Sequence, residues 1–281
     1  MVKTPKYPTS REEALKTKSI YYFTGLFCEN GHLDKRFTCG KNCVSCSREG
    51  RAKRKAAMFD TKDIARRKKM YLQGLAVKAK ARGLECTITE DDVVWNTHCP
   101  VYGFELDYFK EGKEDNTFSI DRIDSNKGYV PGNVEVASWR YNDLKWDGTL
   151  WEFEQVLGYM RDPKEPVMSE CIPFDNQYVK MKKSHIKGGI VFRSKGQEIF
   201  TAEEFYALPF PGICPVLGMP MKFNDKGRMP DSFSIDRFDN NKGYVVGNMR
   251  VISLRANSLK SNASLSEMEK LVTHLQKKVL N

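Results

Sequence analysis

Two stretches of the chain carry the same order of apolar and polar positions. Phe118 and Ile120 alternate with polar neighbours across Thr117–Asp121, the period-two pattern of a short half-buried strand. Val134–Ser138 alternates again and suits a returning strand. Between them, Ser125-Asn-Lys-Gly128 is turn chemistry, with glycine supplying positive φ at no steric cost. Trp139–Lys145 then reads as a helix. A second helix opens at the capping box Thr149-Leu-Trp-Glu152 and carries Trp151, Phe153, Val156, Leu157 and Met160. Its counterpart opens at Ser264-Leu-Ser-Glu267 and carries Met268, Leu271, Val272 and Leu275. The pattern predicts strand, turn, strand, helix and a bracing helix, twice over.

The likeness of the two stretches is a duplication. Residues 118–145 and 233–260 are identical at 19 of 28 positions, without a gap, at a constant offset of 115. The same offset pairs Cys99-Pro-Val-Tyr-Gly103 with Cys214-Pro-Val-Leu-Gly218, and Thr89-Glu-Asp-Asp92 resembles Thr201-Ala-Glu-Glu204 at a shifted one. Two copies are too few for a solenoid, so the arrangement is a tandem pair, 84–160 and 196–281. The segment RDPKEPVMSECIPFDNQ, with three prolines, places a linker at 161–195. Ahead of the pair lie a cysteine-bearing loop at 1–50 and a basic helical segment at 51–83. The expected fold class is α+β.

Composition narrows the setting. The 281 residues are 40% hydrophobic and 29% charged, enough to build ordinary cores. No apolar run approaches the ~20 residues of a spanning helix, and the first residues lack the apolar core of an export signal. A cytoplasmic protein is expected. Its eight cysteines then read as free thiols or metal ligands. The net charge of +10 is uneven: residues 1–85 hold 21 Lys/Arg against 8 Asp/Glu, while the rest of the chain is at −3. Concentrated positive charge attracts a polyanion and releases its counterions. Nucleic acid is the leading partner, because the basic stretch lacks the aromatic and leucine face of a membrane-surface helix.

The candidate chemistry sits where the repeated elements converge. Asp121 ends the first strand and Asn142 lies on the helix that crosses it; both offer oxygen ligands suited to a hard cation such as Mg²⁺. Arg122 can grip a phosphate through two parallel N–H groups. Lys145, three residues after Asn142, adds a second positive group. Asn133, at the start of the second strand, can hold the intervening loop with its amide. The second copy repeats the set as Asp236, Arg237, Asn248, Asn257 and Lys260. A structural ion pair with turn-forming asparagines is the competing reading of each copy. Behind the cysteine loop, RAKRK and ARRKK place Arg54, Arg66, Arg67, Lys68 and Lys69 on one or two basic helices that could follow a DNA backbone.

Cys28-x3-His32-x10-Cys43-x2-Cys46 has the ligand types and pair spacings of a structural zinc site. Cys39 competes with His32 as the fourth ligand, and Gly31 permits a tight turn beside His32. Cys86, Cys99, Cys171 and Cys214 lack a nearby second cysteine and read as core residues.

Ile-Asp-Arg-Ile-Asp, then Gly-Tyr, Gly-Asn-Val and Asn-x-x-Lys resemble the HNH endonucleases of the His-Me finger (ββα-metal) superfamily, in the phage-encoded form where Asp-Arg replaces Asp-His. The sequence YYFTGLFCENGH with its later Cys-x-x-Cys resembles the zinc-binding loops at the start of phage HNH proteins, and that likeness favours His32. The resemblance implies two ββα-metal modules hydrolysing phosphodiester bonds of double-stranded DNA with Mg²⁺ or another divalent cation, beside a structural Zn²⁺. Asp121, Asn142, Asp236 and Asn257 would then be metal ligands, with Asn133 and Asn248 holding the loops. The chain would act as a monomeric pseudo-dimer or a homodimer, nicking or cutting both strands.

The family's general base is the histidine that Arg122 and Arg237 replace here, and arginine does not deprotonate near neutral pH. His98 is one substitute, though Ile213 stands in its place in the second copy. Tyr129 and Tyr244 are a second, and metal-bound hydroxide a third. Two further functions remain open at this point: a DNA-binding protein without catalysis, and a protein that binds or cleaves RNA.

Overall fold

The structure, a computed structural model, describes residues 7–59, 63–109, 113–163, 171–172, 177–194, 199–225 and 227–279. Its contacts divide the chain into two compact units, residues 1–74 with 108–111, and residues 75–107 with 112–281. Both combine helices with small antiparallel sheets, an α+β architecture. No described helix is long and apolar enough to cross a membrane.

The first unit is small. Helix α1 (Arg11–Lys16) starts at Ser10, whose Oγ accepts from Glu13 N–H, so the cap satisfies one of the helix's unpaired donors. Strands β1 (Tyr21–Tyr22) and β2 (Arg36–Phe37) pair antiparallel, and α2 (Val44–Phe59) follows directly. Among the described residues, Ala14, Tyr22, Cys43, Val44 and Tyr108 are the buried apolar side chains here that bear on its small core. Helix α3 (Ile64–Ala81) begins in this unit and ends in the next.

The second unit holds the duplication. Strands β3 (Phe118–Arg122) and β4 (Val134–Ser138) pair with Asp121 opposite Glu135, and α4 (Trp139–Lys145) follows without a loop. Ser138 ends the strand and caps the helix, its Oγ accepting from Tyr141 N–H. Helix α5 (Leu150–Arg161) opens on the Thr149/Glu152 capping box. Downstream lie α6 (Gln177–Arg193) and α7 (Ala202–Ala207). The pattern then recurs as β5 (Phe233–Arg237), β6 (Met249–Ser253), α8 (Leu254–Lys260) and α9 (Leu265–Val279), with Asp236 opposite Arg250. The strand expected at Thr117–Asp121 is shifted by one residue.

The expected linker at 161–195 is corrected in its second half, where α6 stands. Its buried positions Val179, Lys183 and Ile190 keep helical spacing, but one is a lysine, which masks the apolar stripe. Lys183 is held there by the face of Phe210, with Nζ 4.1 Å from the ring centre. The duplication therefore reaches further upstream than the sequence likeness. After α3, Cys86 bridges to Tyr129; after α6, Ile199 bridges to Tyr244 in the same parallel sense. Each repeat is thus preceded by a basic helix, and α6 carries four lysines, one arginine and no acidic residue.

The repeats are locked together by their last helices. α5 and α9 pack against each other, and Phe153 and Val156 on the one and Met268, Leu271 and Val272 on the other are all buried. Burying each such side chain contributes about 1.5–3 kcal/mol. Arg140 on α4 forks onto Glu267 of α9 at 2.7 and 3.0 Å and reaches Asn262 Oδ1 at 2.8 Å. Arg255 on α8 forks onto Glu152 of α5 at 2.7 and 2.8 Å and reaches Asp147 Oδ1 at 2.6 Å. Every partner is offset by 115 from its counterpart, so the seam is a reciprocal, pseudo-two-fold one.

Candidate functional site

The first candidate is the cysteine cluster. The turn at Gly31 (φ +76°) brings His32 back over Cys28, whose backbone C=O accepts from Gly31 N–H at 2.8 Å. Cys43 precedes α2 and Cys46 lies one turn later on the same face. The ligand atoms of Cys28, His32, Cys43 and Cys46 all lie within 4.8 Å of one another, and Cys39 is exposed and outside the group. Cys28 Sγ is 3.5 Å from Cys46 Sγ and 3.6 Å from His32 Nδ1, which is 3.3 Å from Cys46 Sγ. A tetrahedral zinc with Zn–S near 2.3 Å and Zn–N near 2.0 Å needs edges of about 3.5–3.8 Å. The four residues fit such an ion, and it would supply structural closure of a loop with little core.

The surroundings support the same conclusion. His32 Nε2 is 2.7 Å from Glu49 Oε1, the outer carboxylate that orients a ligating imidazole. Asn30 Nδ2 donates to Cys46 Sγ at 3.3 Å. Burial works against the Cys28 thiolate, but hydrogen bonds from the His32 and Asn30 backbone and from Cys46 outweigh it and bring its pKa down to about 6. The thiolate is the form a metal takes.

The second candidate is the duplicated polar site. In the first repeat, Asn133 holds the 124–132 loop with three hydrogen bonds: Oδ1 accepts from Asp124 N–H, and Nδ2 donates to Asp124 O and Gly128 O. Asn248 makes the same three bonds to Asp239 and Gly243. Gly128 is required by a close approach, since a Cβ there would stand 2.4 Å from Glu85 O.

Arg122 does not hold its whole fork open. Its Nη1 donates to Ser125 O (2.6 Å) and Lys127 O (2.9 Å), and its guanidinium lies over the Tyr129 ring. Arg237 does the same with Asn240 O, Lys242 O and Tyr244. These arginines staple their own loops, which departs from the two-pronged phosphate clamp expected of them.

Asp121 and Lys145 meet beneath the loop. Lys145 Nζ lies 2.8 Å from Asp121 Oδ2, close but poorly aligned for a hydrogen bond, and donates squarely to Arg122 O at 2.7 Å. Lys260 makes hydrogen bonds to both Asp236 Oδ1 (2.9 Å) and Arg237 O (2.6 Å). Burial pushes both carboxyls above the usual aspartate range, with the lysines pulling the other way. Lys145 and Lys260 are themselves buried, so they are not the surface phosphate contacts expected from sequence. Asn142 donates its amide nitrogen to Ser119 Oγ and Asn257 to Ser234 Oγ, which leaves the amide oxygen as the atom able to ligate. Each repeat thus presents a cradle of oxygen atoms that already holds one positive charge.

Residues remote in sequence flank the two carboxylates. Beside Asp121, Glu135 accepts from His274 Nε2 (2.9 Å) and pairs with Lys278 (2.9 Å), both on α9. Burial works against the Glu135 charge, but these two partners win and hold its carboxyl below the usual range. Beside Asp236, Tyr159 of α5 donates its hydroxyl to Asp236 Oδ2 at 3.3 Å. Tyr159 and His274 are 115 positions apart, as are Glu135 and Arg250, and only that offset could have flagged them. His98 is exposed, with its ring beside Thr97 Oγ1 at 3.1 Å, and makes no hydrogen bond to Asp121, Arg122 or Asn142 among the described residues.

The basic residues divide by exposure. Arg66 and Lys69 on α3 are exposed and Lys68 is half-buried. Arg67 is buried, and its Nε donates to Tyr108 O at 2.9 Å, so it serves the fold of the first unit. The side chain of Arg54 lies outside the described residues. Comparison with protein-family models, with curated proteins and with solved structures finds no match for this chain.

Proposed function

We propose that the chain is a DNA endonuclease of the HNH kind, hydrolysing phosphodiester bonds with a divalent cation on tandem ββα modules. The observation that carries the reading is the carboxylate at the end of a strand, under an asparagine-stapled loop, recurring in two repeats. A carboxylate, a backbone carbonyl and an asparagine amide are hard oxygen donors of the kind that suits Mg²⁺, and Lys145 and Lys260 stand on the first two of them in each repeat. Asp121 and Asn142 would hold the ion, with Lys145 swinging aside. A cation there supplies positive charge for the phosphate oxygens and lowers the pKa of water. Asn133 keeps the loop shaped, Arg122 fixes it from the other side, and exposed Arg66 and Lys69 offer backbone contacts along the duplex. The zinc cluster steadies the first unit.

A second reading, DNA binding without catalysis, is favoured by one specific observation: a lysine ammonium stands on the carboxylate in both repeats. Supercoiled plasmid separates the two. With Mg²⁺ we expect relaxation of the plasmid that stops on chelation; retarded but intact plasmid at every Mg²⁺ concentration would leave only the binding reading. Binding itself is expected to weaken steeply as salt rises.

A further inference from the structure

A cavity of about 450 Å³ opens between α6 and residues 222–235, the stretch that leads into β5. That volume lies within the ~300–1,000 Å³ of small-molecule sites. None of its described residues belongs to the Asp–Lys pairs beneath the stapled loops. Lys182 of α6 fastens the two walls together, its Nζ donating to Asp225 Oδ1 at 2.6 Å and to Asn224 O at 3.3 Å. Ile186 and Ile190, one helical turn apart, line the α6 wall. Phe223 and Phe233, with ring centres 4.5 Å apart, line the other.

The uncommitted polar groups around this space are donors. Arg228 and His185 line it, are exposed, and make no hydrogen bond or ion pair among the described residues. Ser234 is 8% exposed; its Oγ accepts from Asn257 Nδ2, and no bond among the described residues uses its proton. Ser232 Oγ accepts from Met229 N–H and from Asn224 Nδ2, and its proton is uncommitted in the same way. A buried hydroxyl donor left without an acceptor is costly, so these protons call for an acceptor in the space they line. Asp225 is already neutralised by Lys182, and Lys222 is engaged by Asp231 at 2.9 Å, so Arg228 is the charge left for a ligand. At the offset of 115 the first repeat carries Lys113 for Arg228, Thr117 for Ser232 and Ser119 for Ser234, with Tyr108 and Phe118 for the two phenylalanines. Packing alone explains the aromatic pair; it does not explain why a cation and two hydroxyls are kept.

A ligand for this cavity needs a flat ring for the phenylalanine and isoleucine walls, acceptor atoms on that ring for the serine protons, and an anion for Arg228. A nucleotide combines the three. We infer that the cavity between α6 and residues 222–235 binds a single nucleotide, with its base between the walls and its phosphate on Arg228 and His185. The same chemistry is offered by two sources, a free mononucleotide and an unpaired nucleotide within a DNA strand. The site is separate from the endonuclease reading and does not depend on it.

The test is calorimetric titration of the full chain, without Mg²⁺, using thymidine 5′-monophosphate, thymidine and inorganic phosphate as separate probes. The monophosphate is expected to bind saturably, one per chain, and more tightly than either of the other two. Arg228→Gln, at an exposed position that holds nothing in the fold, is expected to weaken the monophosphate by about tenfold or more and to leave thymidine unchanged. Phe223→Leu is expected to weaken monophosphate and thymidine alike. A thymidine pentanucleotide then separates the sources. Displacement of the monophosphate by the pentanucleotide, lost in Arg228→Gln, supports a nucleotide held within a strand; monophosphate binding that the pentanucleotide leaves untouched supports the free nucleotide. Absence of saturable monophosphate binding would overturn the inference, as would binding that Arg228→Gln and Phe223→Leu both leave unchanged. Inorganic phosphate binding as tightly as the monophosphate would also overturn it, reducing the cavity to an anion site.

Discussion

Asn133 and Asn248 each close a loop from within, through backbone groups on both of its sides. Their amides satisfy one backbone N–H and two backbone carbonyls apiece, and both side chains are buried. Replacing either by alanine strands those groups away from water, so Asn133→Ala and Asn248→Ala should each cost about 2–3 kcal/mol in urea unfolding. A cost near zero would mean that water takes over the bonds and the loop is not held by the amide. The loop-holding geometry was readable in sequence because glycine, asparagine and tyrosine recur at fixed offsets in both copies. The partners of Lys145 and Lys260 were not. A lysine on a helix face reads as a solvent-seeking cation, and only the folded strand reveals the carboxylate and carbonyl that draw it inward.

At the scale of elements, the reciprocal arginine forks decide how the repeats meet. Burial opposes the charge on Glu267, but the Arg140 fork and the Ser264 cap outweigh it and bring the Glu267 pKa down to about 2. A carboxyl lowered on folding contributes stability that is complete above its unfolded value, near 4.5, and lost as pH falls towards 2. Arg140→Ala should therefore cost about 1–3 kcal/mol at pH 7 and progressively less from pH 4.5 downward, as read by urea unfolding at several pH values. A gap independent of pH would assign the effect to lost packing instead. The helices that carry these forks were legible from capping boxes and 3.6-residue spacing. Helix α6 was not, because the proline-rich run before it and the lysine in its buried stripe both speak against a packed helix.

At the scale of the molecule, the first unit has a slight core and four converging ligands. Chelating a metal bound at this cluster should unfold the amino-terminal unit while the duplicated unit keeps its cooperative melt, visible as new proteolytic cleavage confined to the amino-terminal part. Protection of that part after metal removal would show that its apolar residues suffice. The spacing of the ligands was plain in the sequence; the choice between His32 and Cys39 needed coordinates, because it depends on which side chain the turn at Gly31 returns to the cluster. The reciprocal seam carries one more consequence. A dimer of identical chains must present the same face twice and so suits a palindromic target. Here the halves are fused in one polypeptide and differ where Glu135 meets His274 and Arg250 stands beside Tyr159. On the endonuclease proposal, such a molecule is released from that constraint and would meet a duplex in one orientation.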